Sequence, residues 1–233
     1  MTKKTGVKVM GLFDKLLKNM VKDVVNTQQE QQQYKAVHIP ESNISDTPEP
    51  FGYNSTWLAI YGYTPHQVIS TLNLKNVTVS TWKEGITATY QYNSGKIFVS
   101  PMINDYVLVV GIDDIIVDDN MLRSVAAQFN NMCAFANQNT VEYCYWTKFL
   151  KGKLVRAYRY VGESGEVELN IGQLTPEEIQ LGFDKLLSSS DDNWDQKELP
   201  DYSHVIAIAK AWSVDTLFES FNGVTTTGYL CNM

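Results

Sequence analysis

The sequence predicts an α+β fold, mainly an antiparallel sheet with helices packed on it. Over residues 133–169, apolar strand-like runs are separated by polar turns at 151–153 and 163–165, which is the pattern of an antiparallel meander. Helix starts stand at Thr64-Pro65 and Thr175-Pro176, where a capping threonine precedes proline at the first helical position. The strand–helix–strand alternation of parallel sheets is not seen, which favours helices packed on an antiparallel sheet.

The first half of the fold follows from the period of its apolar residues. A helix over 65–72 begins after Thr64, and a second runs through Asn130 from a cap at Asp119 or Asn120. Strands are predicted over 57–61, 77–80, 86–92, 96–100 and 106–112, with a hairpin turn at Asn93-Ser94-Gly95. The last of these strands is apolar throughout, so it is expected to be covered on both faces.

The second half is predicted from alternation and from capping signals. Strands are expected over 133–136, 141–150, 154–161 and 167–169. Glu178 lies three residues after Thr175, as a capping box requires. Helices are expected over 202–212 and 216–221. Since each half would then contain a helix followed by four strands, a duplicated helix-plus-four-strand unit is an open alternative.

The chain is expected to have four segments. Residues 1–25 contain an amphipathic helix with lysines opposite an apolar stripe, followed by a polar linker over 26–52. The α+β domain is predicted over 53–222, and a loose tail over 223–233. The helix could cover a core, associate with a second copy of itself or lie on an anionic membrane, and membrane attachment is the least favoured of these.

Charge and cysteine content limit the classes of partner. The formal net charge is −7, and residues 51–233 carry 12 basic and 20 acidic side chains. An acidic body argues against nucleic-acid binding and suits a basic partner, although solubility alone also explains it. Three cysteines without a CxxC pair, and no secretion signal or membrane-spanning run, predict a cytoplasmic protein.

The sequence shows no motif for catalysis, cofactor binding or zinc. There is no G-x-S-x-G, phosphate-binding loop or H-E-x-x-H, and the three histidines lie apart at His38, His66 and His204. We therefore expect a protein that is not an enzyme and that needs no cofactor or metal. One enzymatic alternative is a carboxylate-based hydrolase, in which an acid from 113–119 meets one from 163–168 in a cleft.

Acidic residues near two loops are the predicted partner-binding site. These are Asp113, Asp114, Asp118, Asp119, Glu163 and Glu166. The four aspartates could also hold a Ca²⁺ or Mg²⁺ ion, or form a solvated loop that caps a helix. The strands over 141–161 are rich in Tyr, Trp and Arg, which anchor protein interfaces but also pack as ordinary cross-strand pairs.

Several stretches resemble a group of cytosolic bacterial proteins, some of which serve as immunity proteins to polymorphic or contact-delivered toxins. The stretches are Thr56-Trp57-Leu58-Ala59-Ile60, residues 141–160 with Gly162-Glu163, Leu174-Thr175-Pro176-Glu177-Glu178, and residues 207–215. None of them is a mechanistic motif, so the resemblance transfers no functional residue. It implies a small acidic protein of bacterial competition that binds a toxin domain and inhibits it. A membrane-surface or protein-interaction adaptor using the basic N-terminal helix is the alternative.

Overall fold

The computed structural model describes residues 40, 43–91, 94–162, 164–184 and 200–233. Several predicted features lie outside the described residues: the helix within 1–25, most of the linker over 26–52, the hairpin residues Tyr92 and Asn93, and the turn residue Glu163. Residues 185–199 also lie outside them. No helix within the described ranges is long and apolar enough to cross a membrane.

Among the described residues, nine strands form one sheet and two short strands form a second. The strands are β1 Ser45–Asp46, β2 Ser55–Tyr61, β3 Lys75–Ser80, β4 Lys96–Val99, β5 Tyr106–Val110, β6 Asn131–Gln138, β7 Tyr143–Leu150, β8 Lys153–Val161, β9 Glu166–Ile171, β10 Thr225–Thr226 and β11 Gly228–Asn232. The large sheet has the order β3-β11-β4-β5-β2-β6-β7-β8-β9, and β1 pairs with β10. Every pair of strands is antiparallel, which confirms the predicted fold class.

The helices of the described residues are short, and most begin at a side-chain cap. They are α1 Pro65–Thr71, α2 Trp82–Thr89, α3 Asp113–Val117, α4 Asp119–Ala126, α5 Pro176–Gln180 and α6 Tyr202–Trp212, with a 3-10 turn at Asn139–Val141. The predicted caps Thr64 and Thr175 are confirmed, each forming a full capping box. The cap of α4 is Asp118, one residue earlier than predicted, and the helix ends at Ala126 rather than Asn130.

Helices cover both faces of the large sheet, so the core has two layers. One apolar cluster joins Leu58 and Ile60 of β2 to buried residues of α1, α3 and α4. The other joins Trp57 and Ala59 of the same strand to buried residues of α2 and α6. The strand β5 is buried on both faces, as its continuous apolar run predicted.

The prediction of a strand over 86–92 is wrong, because α2 occupies most of this stretch. Thr81 and Glu84 form a capping box that begins the helix, and burial of Trp82 and Ile86 against the sheet holds it there. The segment after α2 therefore joins a helix to β4 rather than closing a hairpin. Since the first half lacks this strand, the described residues contain one helix-plus-four-strand arrangement, α4 followed by β6 to β9.

Both ends of the predicted domain extend further than the sequence indicated. In the linker, Asp46 of β1 accepts a 2.7 Å hydrogen bond from the backbone N–H of Trp82. In the predicted tail, β11 lies between β3 and β4 within the large sheet. The helix predicted over 216–221 is absent, since this described stretch forms turns and Phe218 has a φ of 53°, outside the helical region.

Candidate protein-binding surface

The segment from Gly111 to Leu122 crosses one face of the sheet and carries four aspartates with no lysine or arginine. It leaves β5 at Gly111, forms α3, and turns at Asp118 into α4. Burial of Ile115, Ile116 and Leu122 in the core anchors it. We call the exposed residues Asp113, Asp114, Val117, Asp118, Asp119 and Met121 the acidic surface.

Three of the four aspartates have contacts that hold the segment in place. The Oδ1 atom of Asp113 accepts a 2.6 Å hydrogen bond from the hydroxyl of Thr56 on β2. Asp118 accepts hydrogen bonds from the N–H groups of Asn120 and Met121 and so caps α4. Asp119 pairs with Arg159 of β8 at 2.8 Å. Because β2 and β8 are three strands apart, these contacts span about 14 Å of the sheet.

Asp114 and Val117 are the members of the acidic surface that serve the fold least. The Asp114 side chain is exposed and makes no hydrogen bond or ion pair with the described part of the chain. The Val117 side chain is 74% exposed, although its neighbours Ile115 and Ile116 are buried. Met121 is 37% exposed. Val117 is the most exposed of the large apolar side chains in the described part of the chain.

Arg159 organises the far end of the acidic surface. Its guanidinium lies 5.0 Å from the centre of the Tyr145 ring, 2.8 Å from Asp119 and 3.9 Å from Glu168 of β9. Burial raises the pKa of the Tyr145 phenol to about 12, against the opposing effect of the Arg159 charge. Asp119 and Glu168 therefore converge on one cation, which offsets part of their combined charge.

A polar cleft opens beside Asp113 and Asp114, with a volume of about 670 Å³. Its lining comes from the ends of β2, β5 and β6 and from the connection between α2 and β4. Its chemically distinctive lining residues are Tyr90, Gln91, Lys96, Asp113, Asp114 and Gln138. Tyr90 was not predicted as a site residue, because it lies in the stretch wrongly predicted as a strand over 86–92.

Glu166, another predicted site residue, does not line this cleft. Glu166 is exposed at the start of β9. That strand is four strands from β2, about 19 Å across the sheet from the strand that holds Asp113. Glu163 lies outside the described residues. The predicted site therefore divides into the acidic surface and a separate position at the sheet edge.

The predicted carboxylate hydrolase needs two acids that meet and a substrate-sized cleft beside them, and the described residues meet only the first requirement. Asp119 and Glu168 come from the two predicted segments and do meet at Arg159. The cavity beside Asp119 and Tyr145, however, has a volume of about 10 Å³, which leaves no room for a substrate. Within the described ranges, no three His, Cys, Asp or Glu side chains are grouped so that they could hold a metal ion.

The aromatic and arginine residues of β7 and β8 are largely core residues. Trp146, Arg156 and Tyr158 are at most 1% exposed, and the rings of Trp146 and Tyr158 stack 4.5 Å apart. They are therefore unavailable as interface anchors.

Comparison with protein-family models, with curated proteins and with solved structures finds no match for this chain.

Proposed function

We propose that this chain is a cytoplasmic, non-catalytic binding protein that neutralises a basic toxin domain by covering it with the acidic surface. The observation that carries the proposal is Val117, a 74% exposed apolar side chain within a segment of four aspartates. Protein interfaces combine such an apolar centre with a polar rim. The resemblance to bacterial immunity proteins supplies the kind of partner.

The charge of the surface suits a basic partner for a kinetic reason. Opposite charges steer two proteins together and raise the association rate, and this effect weakens as salt screens it. The four aspartates are exposed and are fixed on a segment anchored in the core. Such a surface can therefore attract a basic partner without a large rearrangement of its own.

Affinity would come from the apolar centre together with the free carboxylate. Val117 and Met121 offer apolar area, and Asp114 offers a carboxylate that makes no hydrogen bond or ion pair with the described part of the chain. Interfaces concentrate their binding energy in a few residues that become fully desolvated. Val117 and Asp114 are accordingly the residues whose replacement should weaken binding without harming the fold.

Growth rescue tests this function directly. The product of the neighbouring gene is expressed alone, together with the wild-type protein, and together with the Asp114→Lys or Val117→Ser variant. The wild type should restore growth that the neighbour abolishes, and the two variants should restore less. Glu219→Lys is the matched control, because Glu219 is exposed beside residues that pack on the opposite face of the sheet. A harmless neighbour, or equal death with and without the wild type, would contradict the proposal.

A further inference from the structure

We propose that the polar cleft beside the acidic surface is a receptor for an arginine side chain of the partner. This inference rests on the proposed function and names the group that the partner inserts. The cleft has room for a guanidinium with its aliphatic stem and bridging waters. Because Asp113 and Asp114 belong both to the cleft lining and to the acidic surface, the arginine would lie at the edge of the proposed interface.

Backbone geometry makes the cleft a built feature of the fold. Gly111 has a φ of 87°, and a Cβ atom at this position would lie 2.5 Å from the carbonyl oxygen of Lys96. Only glycine readily fits such a close approach with a left-handed backbone. The N–H of Gly111 donates to the carbonyl of Thr56 and that of Ile112 to the Thr56 hydroxyl, which fixes the turn into α3. The two aspartates that follow are thereby held on the wall of the cleft.

The side chains of the cleft favour a cation. Asp113 uses one carboxylate oxygen to accept from Thr56, and Asp114 has no partner within the described chain. Lys96 is the one basic residue among those that line the cleft in the described structure, and its ammonium donates to Asn232 at 3.2 Å. Two carboxylates against one lysine that is already engaged disfavour an anion and attract a positive group.

Arginine matches this lining better than lysine does. A guanidinium is planar, carries five N–H donors and stacks on aromatic rings, whereas an ammonium is a compact point charge. The cleft is lined by two carboxylate residues, Asp113 and Asp114, by the amide residues Gln91 and Gln138, and by the aromatic residue Tyr90. Burial raises the pKa of the Tyr90 phenol, against the opposing effect of hydrogen bonds from Gly52 and Ser55.

An NMR titration of the full-length protein tests the assignment with three small probes. N-acetyl-arginine amide should shift the amide signals of Tyr90, Gly111 and Asp114 and saturate in the millimolar range, as a single side chain should. N-acetyl-citrulline amide has nearly the same shape without the charge, and it should bind at least tenfold more weakly. N-acetyl-lysine amide should also bind more weakly. Equal responses to arginine and citrulline, or to arginine and lysine, would overturn the assignment.

Variants locate the response in the cleft. Asp113→Asn with Asp114→Asn should weaken arginine binding about tenfold, and the amide oxygen introduced by Asp113→Asn can still accept from Thr56. If the double variant does not fold, Asp114→Asn alone still tests the cleft, because Asp114 is exposed and its replacement should not disturb the fold. The control Asp105→Asn removes a charge at the opposite end of β5, where asparagine tolerates the φ of 65°. Loss of arginine binding in the control, or unchanged arginine binding in the cleft variants, would overturn the assignment.

The titration contains no partner protein, so it can fail independently of the proposed function. An arginine response in a protein that gives no growth rescue would reject the proposed function and retain the cleft as an arginine site. Growth rescue by a protein with no arginine response would overturn the cleft assignment alone.

Discussion

Arg156 and Glu178 form an ion pair in the core, with the Nε atom of Arg156 at 2.8 and 2.9 Å from the two carboxylate oxygens of Glu178. Both side chains are almost completely buried. Glu178 also accepts from the indole of Trp146 and from the N–H of Thr175, so one carboxylate caps α5 and attaches it to the sheet. This capping box was predictable from sequence, whereas its buried arginine partner was not.

The first prediction concerns this buried pair. Glu178→Ala should lower the free energy of unfolding by about 3 to 5 kcal/mol, because it leaves the charge of Arg156 buried and unpaired. The control is Glu168→Ala, which breaks a longer, partly exposed pair with Arg159 at 3.9 Å and should cost less than about 1 kcal/mol. Urea unfolding followed by tryptophan fluorescence measures both. Similar losses in the two variants would show that burial of the first pair does not matter.

The second prediction separates the structural aspartates from the free one. Asp118→Ala removes the cap of α4 and should cost about 1 kcal/mol, whereas Asp114→Ala should leave the unfolding midpoint nearly unchanged. Chemical denaturation of both variants checks this. A large loss at Asp114 would mean that it has a role in the fold, and it would no longer serve as a clean probe of binding.

A third prediction concerns β11. Removing residues 228–233 takes away the strand between β3 and β4 and leaves β3 without its described neighbour in the large sheet. The truncated protein should lose cooperative unfolding, as circular dichroism during heating would show. Removing Met233 alone is the control and should have little effect, because it leaves β11 intact. A native melting curve for the longer truncation would contradict the topology.

The fourth prediction is a loss of stability in alkali. Burial raises the pKa values of Cys133, Cys144 and Cys231 to about 12, whereas the thiol of an unfolded chain has a pKa of about 8.5. Between these values the folded chain keeps protons that the unfolded chain loses, so stability is full below about pH 8 and falls as the pH rises.

The measurement is the free energy of unfolding in urea at pH 8, 9 and 10. Each thiol should contribute a slope of up to about 1.4 kcal/mol per pH unit. Cys133→Ala should remove one such contribution. An unchanged free energy between pH 8 and 10 would contradict the burial of these thiols.

The sequence was most informative where the signals are local. The alternation of β7 and β8 and the caps of α1 and α5 depend on residues close together in the chain, and these elements were predicted. The capping box at Thr81 and Glu84 was an equally local signal for α2, but the Ile, Thr and Tyr residues that follow favoured a strand. The pairing of Tyr229 with Val79 and Val99 joins distant segments, so β11 had no local signal.

The candidate site was predictable in composition but not in arrangement. The four aspartates were identified by their clustering, and all are exposed. Their separate roles depend on tertiary partners, since Thr56 and Arg159 lie at least 40 residues away in the chain. The exposure of Val117 beside the buried Ile116 depends on where α3 ends, which the apolar run Ile115-Ile116-Val117 did not reveal.

The most direct test of the acidic surface is the association rate between this protein and the product of its neighbouring gene, measured at low and high salt. If opposite charges steer the encounter, Asp114→Lys should slow association several-fold and make the rate less sensitive to salt, while Glu219→Lys should behave as the wild type. Equal association rates and equal salt dependence for wild type and Asp114→Lys would contradict binding through this surface.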